Sequence, residues 1–544
     1  QVFSDPLNVD SDGDTLSDLQ ERDLGTDPDR ADTDDDGIAD ADDENPTGPD
    51  RVSFAAEFGG PESTFEASFT VAASGGSDRA ITRLNVDWGD GTPNFTLGCS
   101  GSCTSSITAS PLHTYAQDGL YTVTVTADVQ DAPSESRQYT VGVRPRFGQD
   151  IGLSWNSGWN ENDDTRLIAD IDGDGRDDIV GFGPDGTYTA LSNGTGFDVA
   201  TRQFADFATG SSFNKSTQRR LLANVVGNEE PDIVVFGADG VYIAANDGSG
   251  RFTVLCNGDP CTEGYSPAHG YDDFDTHPRY LSDMNADGLD DVVAFSDRGV
   301  IVALATGSGF DNSTPGGYAV RRFGPDSGGW DARFPRILAD INGDGFDDIV
   351  GFGNTETGVA VFRPDLQTPT FQSTPNYFNL MVYARDWRIW KNPRLSADIN
   401  NDGQDDVIGI SNSNVNVSFA TDNGGLTQDA NTRTISTQFA YNDGWRIPND
   451  QRYFTDINGD GFLDIVGFGP LRTNGIGGTY YALNRQNEGA FEGVREWLPE
   501  FSVNRGYTFD QNPRVMGDID GDGRSDIIVF EDDSVTVVFA LTAE

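Results

Sequence analysis

The stretch Asp170-Ile-Asp-Gly-Asp-Gly-Arg-Asp-Asp-Ile-Val-Gly-Phe182 decides the fold, because it recurs along most of the chain. Its core is Asp-x-Asp/Asn-x-Asp-Gly-x-x-Asp, and a degraded copy begins at Asn224. Successive copies start 54, 59, 57, 58, 58 and 62 residues apart. Self-similarity at a nearly fixed interval indicates a repeat architecture. The complete copies begin at Asp170, Asp283, Asp340, Asp398, Asp456 and Asp518.

Two further columns keep register with the motif. Twelve residues after each start lies a large apolar residue, and four residues before each start lies an arginine. The arginine persists in the degraded copy, so both columns are predicted to serve packing rather than an ion. The apolar column is Phe182, Phe236, Phe295, Phe352, Ile410, Phe468 and Phe530. The arginine column is Arg166, Arg220, Arg279, Arg336, Arg394, Arg452 and Arg514.

Each copy contains about four strand-like runs, which favours a four-stranded antiparallel blade. We therefore predict an all-β fold in which residues 146–544 form a seven-bladed β-propeller. The last copy ends near residue 541 without an outer strand, whereas residues 144–153 precede the first motif. Pairing of residues 146–153 with residues 535–541 would close the ring and remove free edges. An open solenoid is the alternative.

The Asp-rich loops have the ligand order of a calcium site. Oxygen ligands occupy positions 1, 3, 5 and 9, and glycine at position 6 permits a sharp turn. Several carboxylates on one turn repel each other unless a cation lies among them; the alternative is an Asp-rich turn without metal. The copy at Asn224 lacks the ligands and is predicted to hold no ion. The predicted Ca²⁺ ligands are Asp170, Asp172, Asp174, Asp178, Asp283, Asn285, Asp287, Asp291, Asp340, Asn342, Asp344, Asp348, Asp398, Asn400, Asp402, Asp406, Asp456, Asn458, Asp460, Asp464, Asp518, Asp520, Asp522 and Asp526.

The charge and apolar content of the chain argue against two classes of partner. The formal net charge is −54, and Asp outnumbers Glu 72 to 17. Such a chain repels nucleic acid and anionic membrane surfaces, so neither is an expected partner. No apolar run reaches the roughly 18 residues of a membrane-spanning helix, so membrane insertion is not expected either.

The repeat resembles the FG-GAP/VCBS blades that also build integrin α-subunit propellers. The fuller pattern, as in residues 444–469 and 277–283, resembles propeller lectins of the Psathyrella velutina lectin type. This likeness covers about 400 residues. It implies sugar pockets between neighbouring blades, with N-acetylglucosamine as the sugar that the resembled lectins suggest.

Two shorter regions precede the repeats. Residues 1–50 resemble thrombospondin type 3 calcium repeats, with a disordered acidic linker as the alternative. Residues 51–145 resemble a PKD domain, an immunoglobulin-like β-sandwich, through 88–92 (Trp-Gly-Asp-Gly-Thr) and 113–115 (His-Thr-Tyr). That likeness implies a structural role for His113. The calcium ligands implied for the first region are Asp10, Asp12, Asp14, Asp18, Asp32, Asp34, Asp36 and Asp40.

The four cysteines form two close pairs, Cys99 with Cys103 and Cys256 with Cys261. Two small disulfide loops are predicted, with free thiols or a metal site as alternatives. Disulfides are typical of an oxidising compartment, which indicates an extracellular or cell-surface location.

An aromatic residue also recurs about eleven residues before the motif. Its ring could stack on a sugar beside polar side chains, or it could wedge one blade against the next. The candidate ligand-binding residues from this column are Trp159, Trp330, Trp387, Trp445 and Tyr507, and Trp390 joins them from the stretch 387–394, which also contains Lys, Asn and Arg.

The functional prediction is a calcium-dependent adhesion or binding protein, with lectin-like glycan binding by the propeller. The alternatives are an integrin-like adhesin that binds a cell-surface protein, and a structural subunit of an extracellular assembly. A glycan-active enzyme is a further alternative. No catalytic residues are predicted, because the chain has three His and the clear carboxylate clusters belong to the metal loops.

Overall fold

The computed structural model describes the protein from residue 52 to residue 540 with gaps, together with isolated positions between 16 and 33. The calcium ligands predicted between Asp10 and Asp40 all lie outside the described residues. From residue 52 onwards the described ranges are 52–59, 66–75, 80–99, 106–109, 111–114, 119–129, 134–143, 146–159, 165–209, 218–311, 319–364, 370–373, 381–421, 424–427, 433–470, 477–485, 491–498 and 500–540.

The chain divides into two compact units, Gln1–Pro145 and Arg146–Glu544. From residue 52 onwards the described elements are β-strands and 3₁₀ turns of three residues. No described helix is long and apolar enough to cross a membrane.

The first unit contains two antiparallel sheets. One has the order β1-β2-β5, with β6 also paired to β2, and the other has the order β4-β3-β7-β8. In β7 the alternate residues Val123, Val125 and Ala127 are buried, which is the period of a strand with one face on a core. The strands are β1 Val52–Gly59, β2 Glu66–Gly75, β3 Ile81–Asp87, β4 Phe95–Gly98, β5 Ser106–Ala109, β6 Leu112–Thr114, β7 Gly119–Val129 and β8 Glu135–Val143.

His113 has structural contacts in this unit. Its ring stacks on the buried indole of Trp88, with centroids 4.4 Å apart and planes at 2°. Its Nε2 lies 2.9 Å from Oδ2 of Asp90. These contacts agree with the structural role expected from the PKD likeness.

The second unit contains seven successive antiparallel sheets of three to five described strands. The first sheet contains β10 Thr165–Ala169, β11 Asp178–Gly183, β12 Gly186–Ala190 and β13 Thr201–Phe204. The second contains β14 Arg219–Ala223, β15 Asp232–Phe236, β16 Gly240–Asn246, β17 Phe252–Val254 and β18 Thr262–Glu263. The third contains β19 Arg279–Ser282, β20 Asp291–Ser296 and β21 Gly299–Ala303.

The remaining four sheets repeat the pattern, and the last of them includes a strand from the start of the unit. The fourth sheet contains β22 Arg336–Ala339, β23 Asp348–Phe352, β24 Thr357–Arg363 and β25 Thr370–Ser373, and the fifth contains β26 Arg394–Ala397, β27 Asp406–Ile410, β28 Val415–Ser418 and β31 Arg433–Ser436, beside the hairpin of β29 Ala420–Thr421 and β30 Gly425–Leu426. The sixth sheet contains β32 Gln451–Thr455, β33 Asp464–Gly469, β34 Gly478–Ala482 and β35 Arg495–Leu498. The seventh contains β36 Arg514–Gly517, β37 Asp526–Phe530, β38 Val535–Val538 and β9 Arg146–Gln149.

The pairing of β9 with β38 confirms the strand exchange expected from the sequence. The register runs from Gln149 opposite Val535 to Arg146 opposite Val538. The seventh sheet therefore obtains its fourth strand from the beginning of the unit, and the outer edge of β38 is paired.

Each sheet packs on its neighbours in a cyclic order. Six apolar clusters join consecutive sheets, and a seventh joins Trp159 and Ile179 on the first-sheet side to Ile528 and Phe530 of the last sheet. The backbone N–H of Asp177 also donates to the carbonyl of Asp518 across this junction, at 2.7 Å. An open solenoid would lack contacts between its first and last repeats.

The two repeat columns meet at these sheet interfaces. The guanidinium of Arg166 lies 4.6 Å from the ring centroid of Phe530, which joins the first sheet to the seventh. The one exception is the arginine of the sixth sheet. The column residue of the preceding sheet is Ile410, which has no aromatic ring, and Arg452 instead lies over Trp445 at 5.7 Å. Equivalent cation–π contacts are 5.0 Å for Arg220 and Phe182, 5.6 Å for Arg279 and Phe236, 5.5 Å for Arg336 and Phe295, 5.5 Å for Arg394 and Phe352, and 5.7 Å for Arg514 and Phe468.

Five of these seven arginines also donate to the carbonyl of a residue with positive φ in their own repeat. Arg452 donates to the carbonyl of Phe439 at 3.0 Å, and Phe439 has a φ of 64°. Arg514 donates likewise to Phe501, whose φ is also 64°, at 3.1 Å. A non-glycine residue in the left-handed region needs such support, so these arginines fix the entry to the sixth and seventh sheets.

Removing β9 should weaken the ring. We expect a chain that begins at Asp150 to melt several degrees below one that begins at Arg146, because β38 loses its partner strand. Differential scanning calorimetry of the two chains provides the comparison. Equal melting temperatures would contradict closure by β9.

Candidate functional site

Each Asp-rich loop joins the first strand of its sheet to the second strand, and the carboxylate at position 1 organises it. The Asp170 carboxylate accepts the N–H of Gly173 at 2.7 Å and that of Gly175 at 2.8 Å. Gly175 has a φ of 86°, so the turn favours glycine at position 6. The same two bonds recur in the loops that begin at Asp340, Asp456 and Asp518.

The aspartate at position 9 is the buried member of the set. Asp178 accepts the N–H of Ile171 at 3.1 Å through Oδ2 and the N–H of Ser192 at 2.6 Å through Oδ1. It therefore ties the loop to the end of the third strand. Burial raises the pKa of Asp178 to about 7, and the nearby Asp172 and Asp170 add to the rise. Bonds equivalent to the second one are made by Asp291, Asp348, Asp406, Asp464 and Asp526.

The degraded copy keeps this buried aspartate. Asp232 accepts N–H groups from Val225 at 2.9 Å, Val226 at 2.8 Å and Asn246 at 2.8 Å. This loop is the one predicted to hold no ion. Position 9 therefore has a structural role in addition to any role as a ligand.

Two loops bring three carboxylates within reach of one cation. In each group, one oxygen from every residue lies within 4.8 Å of the others. All-oxygen donors on a tight turn fit a hard divalent cation such as Ca²⁺. The groups are Asp170, Asp172 and Asp178 in the first sheet, and Asp518, Asp520 and Asp522 in the seventh.

The arginine at position 7 is a local counter-charge in these two loops. Arg176 forms an ion pair with Asp174, and Arg524 forms one with Asp522. The position-5 carboxylates therefore have a protein partner, in addition to their predicted role as ligands.

Asparagine occupies position 3 in the other four complete loops. The amide of Asn285 donates to Asp287 at 3.0 Å, and that of Asn458 donates to Asp460 at 3.1 Å. The amide dipole thus offsets part of the carboxylate charge. Rotation of the amide would turn its oxygen toward a cation, so these loops also contain an all-oxygen donor set.

Three of the predicted ligand-binding tryptophans belong to the core. Trp159, Trp330 and Trp445 are 3%, 5% and 0% exposed. Their indoles cover glycines of the second strand, so no ring face is available to a sugar. The interpretation as wedges therefore describes these three residues. A Cβ added to the glycine would lie 2.8 Å from Trp159 at Gly181, 2.7 Å from Trp330 at Gly351, and 2.5 Å from Trp445 at Gly467.

Trp387 and Tyr507 are partly buried. Trp387 lies against Gly409, where an added Cβ would be 2.6 Å from its ring. The hydroxyl of Tyr507 donates to Glu531 at 2.8 Å, and its ring packs edge-on against Phe501. Both therefore also contribute to packing.

Trp390 is the exposed member of the candidate set, with 60% of its surface accessible. It precedes the fifth sheet, and its ring meets that of Tyr441, which precedes the sixth, with centroids 6.1 Å apart at 78°. The ammonium of Lys391 lies 5.5 Å from both ring centroids. This aromatic pair lies at the junction of two neighbouring sheets.

Polar groups adjoin the aromatic pair. Lys391 donates to Oδ2 of Asp386 at 2.7 Å, and the amide of Asn412 donates to the same oxygen at 3.4 Å. The bond from Lys391 is the main reason why the pKa of Asp386 lies below its usual range. We call Trp390, Tyr441, Lys391, Asp386 and Asn412 the Trp390 site.

Sequence reasoning identified Trp390 and the stretch 387–394 that contains Lys391, but it missed Tyr441, Asp386 and Asn412. Tyr441 had a weak signal, because it precedes Trp445 by four residues, as Tyr383 precedes Trp387. Asp386 and Asn412 lie 26 residues apart, and no local pattern joins them.

The structure contains the predicted disulfide between Cys256 and Cys261. Cys99 is also disulfide-bonded, but its predicted partner Cys103 lies outside the described residues.

Two family models match parts of the chain. Residues 283–378 and 456–529 match the FG-GAP-like repeat, and residues 55–143 match the PKD domain. A search of curated proteins finds no match.

Among solved structures, the chain is similar to a lectin of Agrocybe aegerita. The structure of that lectin is described as showing how it specifically recognises non-reducing terminal N-acetylglucosamine. The TM-score is 0.59 at 24% identity, over 85% of this chain and 98% of that one. The shared fold is a propeller-like all-β architecture. A TcdB2-TccC3-Cdc42 complex matches at 11% identity over 90% of this chain and 31% of that one, and its TM-score of 0.23 is too low to indicate a common fold.

The buried aspartate of the degraded copy offers a test of its structural role. Asp232→Ala should destabilise the protein by about 1–3 kcal/mol, because backbone N–H groups lose their acceptor. Denaturant unfolding with and without chelator should give the same loss. Asp259→Asn, at an exposed position in the loop between β17 and β18, is the control. A loss that disappears on chelation would instead make Asp232 an ion ligand.

Proposed function

We propose that the protein is an extracellular or cell-surface, non-enzymatic binding protein whose second unit is a closed seven-bladed β-propeller. The propeller binds glycans that end in N-acetylglucosamine, and calcium holds its Asp-rich loops. The seven sheets in cyclic order and the pairing of β9 with β38 support the ring. The fold shared with the Agrocybe aegerita lectin supports glycan binding.

The Trp390 site is the observation that carries the glycan proposal. All eight tryptophans lie in the described part of the chain, and among them Trp390 is the exposed one; it adjoins Tyr441 at the junction of two sheets. Trp390 adjoins Ile389, which is also exposed, and contiguous exposed apolar surface rimmed by polar residues generally marks a binding site. Its position also matches the pockets between blades that the sequence resemblance implies.

The chemistry of the site suits a sugar. A pyranose presents C–H groups on one face, which pack on an indole, while its hydroxyls need donors and acceptors at the rim. Asp386 offers acceptor oxygens, and Lys391 and Asn412 offer N–H donors. Lys391 is 8% exposed and held between two rings, so this donor is positioned before a ligand arrives.

The calcium proposal rests on the loop geometry. Three carboxylates converge in each of two loops, and the other four complete loops place oxygen donors in the same order. The residues that would hold the ions are those at positions 1, 3, 5 and 9. A bound divalent cation would offset the mutual repulsion of these carboxylates and rigidify each loop.

The proposed location and the non-enzymatic role have separate support. The disulfide between Cys256 and Cys261, with the FG-GAP-like and PKD matches, favours an oxidising, extracellular setting. The buried loop aspartates accept backbone hydrogen bonds that fix each sheet, which is a structural use of the carboxylates.

Trp390→Ala tests the glycan site. Binding of chitobiose, measured by isothermal titration calorimetry, should weaken at least about tenfold, since stacking and rim contacts together contribute at least about 1.4 kcal/mol. Val199→Ala removes an exposed apolar side chain elsewhere on the ring and should leave binding unchanged. Full affinity in the Trp390 variant would place the pocket elsewhere.

If the parent protein binds no chitobiose, a protein-binding adhesin or a structural subunit becomes the better reading. A pull-down from the native cell surface would then be the informative experiment.

Calcium content tests the metal proposal. Six propeller loops and at least two sites in residues 1–50 give an expected content of about eight Ca²⁺ per chain after dialysis. Chelation should lower the melting temperature, because ions that bind the folded form stabilise it. Elemental analysis that finds two ions or fewer would overturn the proposal.

A further inference from the structure

A pocket of about 200 Å³ lies where the first strands of the second, third and fourth sheets begin. The Asp-rich loops follow the opposite ends of these strands. Arg219, Arg279 and Arg336 line the pocket, and they begin the first strands of the second, third and fourth sheets. The pocket is therefore separate from the metal loops.

The pocket is strongly cationic. Three arginines and one acidic residue, Asp275, line it in a chain whose net charge is −54. The described hydrogen bonds of Arg279 and Arg336 go to backbone carbonyls, among them Tyr265 at 2.8 Å and Thr276 at 2.6 Å. Backbone carbonyls carry no net charge, so the charge of these two arginines is offset through space, by the carboxylates of Asp273, Asp275 and Asp331.

Several donors of these arginines have no partner within the described part of the chain. They are Nε and Nη2 of Arg279 and Nε of Arg336, in side chains that are each 2% exposed. Burial lowers the pKa of Arg279 to about 9. A buried donor without a partner carries a free-energy cost, and an anion in the adjacent pocket would offset the positive charge of these arginines.

The remaining walls limit the kind of anion. The Phe274 ring lies 3.5 Å from the Arg279 guanidinium carbon and 4.6 Å from that of Arg219. Tyr280 and Ile389 add further apolar surface. The volume equals about seven waters, which is room for a planar anionic group with a short carbon skeleton.

We propose that this pocket binds a small organic carboxylate, with the exposed Arg219 as its principal contact. A planar carboxylate can accept two parallel N–H bonds from one guanidinium, and the aromatic wall packs against its carbon skeleton. Acidic sugars and free organic acids share this chemistry. The inference does not depend on the Trp390 site.

Titration calorimetry on the full chain tests the proposal, with glucuronate, acetate and sulfate as separate probes. We expect saturable binding of at least one carboxylate, with glucuronate favoured if the source is an acidic sugar and acetate if it is a free acid. Arg219→Gln should weaken that binding about tenfold, by removal of a charge-assisted bond. Arg298→Gln, at an exposed position in the third sheet, should leave it unchanged.

Three results would overturn the proposal: no saturable carboxylate binding, equal affinity in Arg219→Gln, or binding of sulfate alone. The two sites are distinguishable, because Arg219→Gln should retain chitobiose binding and Trp390→Ala should retain carboxylate binding.

Discussion

The stacking of an arginine on the phenylalanine of the preceding sheet is the contact on which the ring depends. The guanidinium lies against the ring of the neighbouring sheet and also donates a hydrogen bond to a backbone carbonyl before its own sheet. In Arg514, for example, the ring is that of Phe468 and the carbonyl is that of Phe501. A single repeat cannot satisfy this arrangement alone, because the arginine packs on an aromatic ring of the preceding sheet, as Arg220 does on Phe182. Arg166 on Phe530 completes the cycle, so the first and last sheets are joined by the same contact as the other pairs, with the exception of Arg452, which lies over Trp445.

This contact also gives the ring its polarity. Each first strand begins near the buried arginine and ends at an Asp-rich loop, so positive and negative groups collect at opposite ends of the inner strands. The carboxylate end is suited to cations. At the other end, positive charge remains available around Arg219, Arg279 and Arg336.

Much of the architecture could be predicted from the sequence, because the repeat puts the Phe, Arg and Asp columns in fixed register. The pairing of β9 with β38 followed from a missing strand at one end and an extra one at the other. The burial of Trp159, Trp330 and Trp445 was harder to foresee. It depends on glycines such as Gly181 and Gly467, which leave slots that an indole fills only once the strands are packed.

The Trp390 site was only partly predictable for a related reason. Its aromatic pair comes from two repeats, and Asp386 and Asn412 approach each other only through the turns that enter and leave a sheet. Trp390 lies three residues after Trp387, the member of the repeated column in its repeat, and the corresponding positions after Trp159, Trp330 and Trp445 hold no aromatic residue. A ring of identical pockets is not what these residues form, so glycan recognition would concentrate where the aromatic surface is exposed.

A glycan array probed with the intact chain tests the central claim most directly. The account predicts retention on glycans that end in N-acetylglucosamine, with loss of the signal when the free sugar is added as competitor. Retention on no glycan at all, by a folded and calcium-loaded protein, would contradict it.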